Sequence, residues 1–278
     1  MNPCRSSANA SDRGRGFTLV EMVVTIAILS ILFLIMIGIL DQSSRAWNQA
    51  EQDVDAFREG RAAQFVIDRD LENLTQPGNE PFFFLNRQNE EIQIGASLPP
   101  KAHGDSLFFT TLLPLNAQHA GNTSNLCVVG FYLAYTPDAS NPGANRSYKL
   151  YRHLTSSDAA YSALKDFYAA GTTPVVSVIP RTVSGTIGDE VLARNIINFE
   201  VTPYRRNGST GELEAVTDPW DPAERPAMVK VAFDAMNYTT AALLQRSEDW
   251  YDNPTFDQMF REKVQRFTTT VRTMEEQP

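Results

Sequence analysis

The distribution of apolar positions divides the chain into three unlike parts. From Phe17 to Leu40 the residues are almost continuously apolar, with Glu21 the one ionisable side chain among 24. At 1.5 Å rise per residue such a helix is roughly 36 Å long, enough to cross a hydrocarbon core of ~30 Å. Beyond it, Trp47, Ala50, Val54, Phe57, Phe65, Ile67, Leu71 and Leu74 recur at steps of three and four among Arg, Asp and Glu, until Pro77-Gly78 stops the run. That spacing predicts that the helix continues, amphipathic over 41–76, for some 58 residues and about 87 Å in all. Its apolar stripe is expected to lie against a sheet. Gly38 and Gly60 are weak points for bending, or, at Gly38, a place for close helix packing.

After Pro77 the pattern changes to short β-branched and aromatic runs broken by Pro, Gly and Asn. Ser106 to Leu112, Leu126 to Tyr135, Ser147 to Leu154, Ile197 to Arg205, Ala227 to Met236 and Val264 to Arg272 read as strands of an antiparallel sheet. A hairpin loop is expected over Pro137 to Gly143, and a short helix over Asp158 to Ala170, ended by Gly171. The predicted class is α+β: one long N-terminal helix packed on an antiparallel β domain spanning 77–278.

Charge sharpens the division. The net charge is −9, and residues 1–16 hold Arg5, Arg13 and Arg15 against Asp12, so this leader carries +2 and the remainder −11. Arginines before the apolar run, with Asp41, Glu51, Asp53 and Asp55 after it, place the leader in the cytoplasm and the β domain outside by the positive-inside bias. An acidic body without a Lys/Arg stripe argues against a general nucleic-acid binder. Unlike a secretory signal, the small residue suited to cleavage, Gly16, precedes the apolar run, so processing leaves the anchor in place.

Glu21 gives the anchor its specificity. A carboxylate in the bilayer costs at least ~2.5 kcal/mol and calls for a partner. Cleavage after Gly16 supplies one, the new α-amino group of Phe17 on the same or a neighbouring chain. The run Gly16-Phe17-Thr18-Leu19-Val20-Glu21 resembles the prepilin processing motif of type IV pilins and type II secretion pseudopilins. The resemblance implies a prepilin peptidase cutting after Gly16, N-methylation of Phe17, an assembly role for Glu21, packing against other pilins or pseudopilins, and a home in the bacterial inner membrane with the β domain in the periplasm. The order Val191 to Val201, Trp220-Asp221-Pro222 and Arg225 to Val231 is also similar to the minor pseudopilin J pattern, and Asp41 to Arg61 looks like the Verru_Chthon cassette protein C family.

Chemistry is sparse. His103, His119 and His153 stand in unrelated settings, and no H-E-x-x-H, G-x-S-x-G or phosphate-loop motif occurs. His103-Gly104-Asp105-Ser106 reads as a loop rather than a triad, and Trp220 as a turn anchored by a buried ring. Cys4 and Cys127 fall on opposite sides of the cut, leaving Cys127 a buried thiol. The acidic groups Asp218 with Asp221, and Glu248, Asp249 and Asp252, read as solvated loops ahead of calcium sites. No metal, cofactor or catalysis is expected. A structural filament subunit is the leading expectation; a tethered periplasmic enzyme or binding domain, and an adhesin or DNA-uptake minor pilin, are the rivals.

Overall fold

The computed structural model describes residues 18–76, 82–86, 104–114, 124–137, 146–160, 189–217, 220–221, 223–244, 246–250 and 263–273. The chain falls into two units, Met1–Ala50 and Glu51–Pro278. Helix α1 spans Leu19–Glu72 and belongs to both.

In the first unit α1 carries the apolar run, and side chains such as Leu19, Leu34 and Ile39 are 80%, 71% and 61% exposed. This is the one helix among the described residues long and apolar enough to cross a membrane. Its hydroxyls are satisfied internally: Thr25 Oγ1 donates to the carbonyls of Glu21 and Met22 at 2.9 Å, and Ser30 Oγ to that of Ile26 at 2.8 Å. Bonds of this kind remove the cost of a bare hydroxyl in lipid.

In the second unit α1 meets two sheets. Strands β1 (Phe83–Asn86), β2 (Ser106–Leu112), β3 (Leu126–Thr136), β4 (Ser147–Thr155) and β5 (Glu190–Arg194) form a sequential antiparallel meander. Strands β6 (Ile196–Arg206), β7 (Leu213–Ala215), β8 (Met228–Met236) and β9 (Val264–Arg272) form a second sheet in the order β7-β6-β8-β9. The single expected sheet is therefore two. The joint is Asn195, whose φ of 58° turns the chain from β5 into β6 and whose carbonyl accepts from Met236 N at 3.0 Å. Asn is among the few residues besides Gly that adopt this left-handed conformation at low cost.

A continuous core lies between the layers. Ala63, Ile67 and Leu71 of α1 share it with Leu107, Phe109, Val129 and Leu150 of the first sheet and with Phe199, Val231 and Phe267 of the second. Each large side chain fully buried in this way contributes about 1.5–3 kcal/mol. Gly60 lets the helix approach: a Cβ there would lie 2.3 Å from Cζ of Phe267. The glycine read as a bending point is a packing glycine. Helix α1 also stops at Glu72, short of 76, because the backbone of the next residues pairs with β2: Thr75 N donates to Thr110 O at 3.0 Å and Leu112 N to Asn73 O at 3.1 Å.

The two sheets are stitched near Gly104, where φ is +148°. The Asp105 main-chain N donates to Phe199 O at 2.7 Å, and its carboxylate accepts from Val201 N at 2.8 Å, entirely in the interior. After β8, Asn237 caps the short helix α2 (Tyr238–Ala241) and donates to Asp53 of α1 at 2.6 Å.

Candidate processing and assembly site

Two of the three residues singled out in the sequence, Gly16 and Phe17, lie outside the described residues; Glu21 lies inside. It occupies the first turn of α1, three residues after Thr18. Glu21 N donates to Thr18 Oγ1 at 3.3 Å, while the Thr18 N and Oγ1 both donate to Glu21 Oε2 at 3.4 Å. These reciprocal bonds form a capping box, T-x-x-E, which satisfies donors that the first helical turn leaves open. The spacing was present in the sequence, and the carboxylate also sits where the positive end of the helix dipole favours it. All three bonds are long and the site is exposed, so the carboxylate is lightly held and open to a stronger cationic partner.

The remaining candidates that fall among the described residues hold structural roles. Trp220 is 6% exposed; its Nε1 donates to Glu224 O at 3.1 Å and its ring meets Phe83 edge-on at 5.9 Å. Arg205 covers the other side at 5.7 Å while holding Glu224 through two hydrogen bonds. The tryptophan turn is thus an anchored turn, as the sequence reading had it. Asp221 Oδ1 caps Ala223 N at 3.0 Å, and Asp249 Oδ2 caps Arg246 N at 2.9 Å. Asp218, Asp252 and the Glu248 side chain lie outside the described residues, as do Cys4, His103, His119, the 138–143 part of the expected hairpin loop and Gly171. Residues 157–160 are helical, and the rest of the helix expected to Ala170 lies outside too. Among the described residues no group of three metal-binding side chains converges.

One polar cluster was not foreseen. His153 Nδ1 lies 2.9 Å from Asp189 Oδ1 and its Nε2 lies 2.8 Å from Thr155 Oγ1, while Tyr132 Oη donates to Asp189 Oδ2 at 2.6 Å. Burial foremost, and then the bond to Asp189, push the Tyr132 phenol far above its ordinary range, so it remains a donor. These bonds join β3 and β4 to the residue just before β5. Stacked rings continue the same face, Phe108 on Tyr132 at 6.4 Å and Tyr132 on Tyr151 at 5.5 Å. The chain separation of 36 residues between His153 and Asp189 gave no local signal.

Residues 12–37, which bracket Glu21 and the start of α1, match the family model of the prokaryotic N-terminal methylation motif. That motif lies at the head of a long apolar helix with an antiparallel β body behind it, and in this arrangement the chain is pilin-like. Among solved structures it is similar to the type IV-like pilin TTHA1219 from Thermus thermophilus, with 13% identity, 78% of this chain and 95% of that chain covered, and a TM-score of 0.33. It is also similar to a chain of the GspK-GspI-GspJ complex from the enterotoxigenic Escherichia coli Type 2 Secretion System, at 9% identity, 80% and 99% coverage and a TM-score of 0.35. Likeness at that level carries no weight of its own beside the motif and the geometry. No curated protein matches the chain significantly.

Proposed function

We propose that the chain is a minor pilin or pseudopilin, held in the bacterial inner membrane by residues 17–40 and built into a type IV pilus-like or type II secretion pseudopilus filament. A prepilin peptidase removes residues 1–16, and Phe17 becomes the methylated N-terminus. The leader stays cytoplasmic and the β domain periplasmic. The filament holds subunits helix to helix, so the apolar surface of α1 exchanges lipid for neighbouring pilin helices.

The observation that carries this reading is the exposed, lightly held carboxylate of Glu21 within the methylation motif. An entering subunit brings the Phe17 amine into hydrocarbon, where attraction to a carboxylate is far stronger than in water. Pairing offsets the burial of both charges and sets the register between adjacent helices. The capping box supplies the bland alternative, a Glu that merely ends a helix. Glu21→Gln separates the two, because an amide still caps but carries no charge. In membranes co-expressing partner pilins, crosslinking between α1 helices should fall to background in Glu21→Gln and Glu21→Ala, with cleavage at Gly16 intact. Wild-type crosslinking by Glu21→Gln would reduce the residue to a cap.

A further inference from the structure

Strand β9 ends its sheet, so among the described residues one of its edges pairs with no strand. Beside it lies a cleft of about 590 Å³ between the Phe57-to-Gln64 stretch of α1 and residues 265–268 of β9. That size is within the range of ligand-binding clefts. Its floor is aromatic: Phe57, 44% exposed, lies 5.8 Å from the Phe267 ring, which stacks on Phe233 at 5.1 Å.

The polar groups around this floor are unevenly used. Gln64 Nε2 donates to Thr268 O at 3.0 Å, doing for the strand edge what the N–H of another strand would do. Arg266 is taken by Glu200 at 2.7 Å and Asp234 at 3.8 Å. Two groups are left over. The Arg61 guanidinium lies over Phe57 at 5.0 Å and pairs with no carboxylate among the described residues. Gln265 Oε1 is buried without a hydrogen-bond partner among the described residues. A buried acceptor left unmade is a cost, and it is recovered if the Gln265 side chain turns toward a donor seated in the cleft.

A ligand that completes this set carries a carboxylate for Arg61, an N–H for Gln265 Oε1 and apolar surface for the two rings. Phosphate offers no apolar surface to the two rings, and a nucleic-acid polyanion meets an acidic body of −11. A peptide with an Asp or Glu offers all three, beside a strand edge already suited to main-chain contact. We propose that the cleft between α1 and β9 docks an extended, carboxylate-bearing peptide segment of a neighbouring subunit in the filament. The proposal rests on the filament reading above and names a second contact for it, outside the membrane.

The test places a photoreactive benzophenone beside the cleft, Thr268→p-benzoylphenylalanine, in the full-length chain in its producing cells, with the adduct sequenced by mass spectrometry. The expected adduct is a pilin-subunit peptide with Asp or Glu within a few residues of the link. Its yield should fall at least fivefold in Arg61→Gln and hold in Arg58→Gln, whose cation already faces Asp55 at 3.4 Å. No adduct, an adduct without an acidic residue, or a yield indifferent to Arg61→Gln would each overturn the proposal. A parallel probe, Leu34→p-benzoylphenylalanine, reports helix packing in the membrane. Adducts there without adducts at Thr268 sink the cleft alone, while silence at both sites sinks the filament reading as well.

Discussion

Asp70 of α1 accepts a hydrogen bond from Arg152 of β4 at 2.6 Å, with the carboxylate wholly buried and the arginine side chain 8% exposed. The other oxygen of Asp70 takes Arg69 Nε at 3.1 Å and Nη2 at 2.9 Å, and its main-chain carbonyl accepts from Thr111 at 3.0 Å. The end of the helix is thereby fixed to the first sheet by a fully bonded charge. Stranding a buried charge costs about 3–5 kcal/mol; with Arg69 still on Asp70, loss of Arg152 should cost toward the lower end of that range. Arg152→Ala should lower the denaturation midpoint of the detergent-solubilised chain accordingly. The double variant Asp70→Leu with Arg152→Met should lose much less, and equal losses would show that the charges themselves are not at issue.

Gly60→Ala is expected to destabilise by about 1–3 kcal/mol, because the added methyl meets the Phe267 ring in a packed interior. Adding Phe267→Leu should recover part of the loss. If Gly60→Ala instead stabilised the chain, as replacing glycine in an open helix does, the close approach would be refuted.

Burial pushes the Cys127 thiol up from 9.0 to about 11, with Arg152 acting weakly in the opposite direction. Below about pH 9 the thiol is neutral in folded and unfolded chains alike and its titration changes nothing. Between 9 and 11 the unfolded chain releases its proton first, so stability should fall with rising pH across that window. In Cys127→Ala the fall should be shallower, even though its starting stability is lower. Urea midpoints at pH 8 and pH 10.5 decide it, and parallel slopes would contradict the assignment.

Asp105→Ala should cost about 1–3 kcal/mol, since Val201 N–H is left buried without its acceptor. Hydrogen exchange at Val201 is the direct readout: faster exchange in the variant is expected, and an unchanged rate would mean another group takes over.

Gly16→Ala should accumulate an uncut precursor, because a protease pocket fitted to a residue without Cβ has little room for a methyl. Intact mass of the wild-type chain should match a start at Phe17 plus one methyl. Retention of Met1 to Gly16 in the wild type would remove the basis for the processing reading.

The apolar run was legible from its length and lack of charge, and its continuation from steps of three and four residues. Strands β2 and β9 were read to the residue, while β1, β5 and β7, of four, five and three residues, are too short for alternation to register. Strand β3 hides its alternation in another way. Its Val129 and Phe131 face the shared core, while Tyr132 and Ala134 on the opposite face are buried as well, so the sequence reads as one apolar run. The second sheet was missed because its separation rests on the conformation of Asn195, which pattern alone does not reveal. At Glu21 the sequence drew attention to the charge and passed over the T-x-x-E spacing around it.

The Asn195 joint also sets how this subunit answers a pull. A single residue separates β5 from β6, so the sheets have no slack between them, and each is tied to the same stretch of α1: the first through Asp70 and Arg152, the second through Gly60 and Phe267. Tension drawn along that stretch is shared by both jaws of one clamp. A pull on the helix therefore reaches both sheets through separate attachments rather than one.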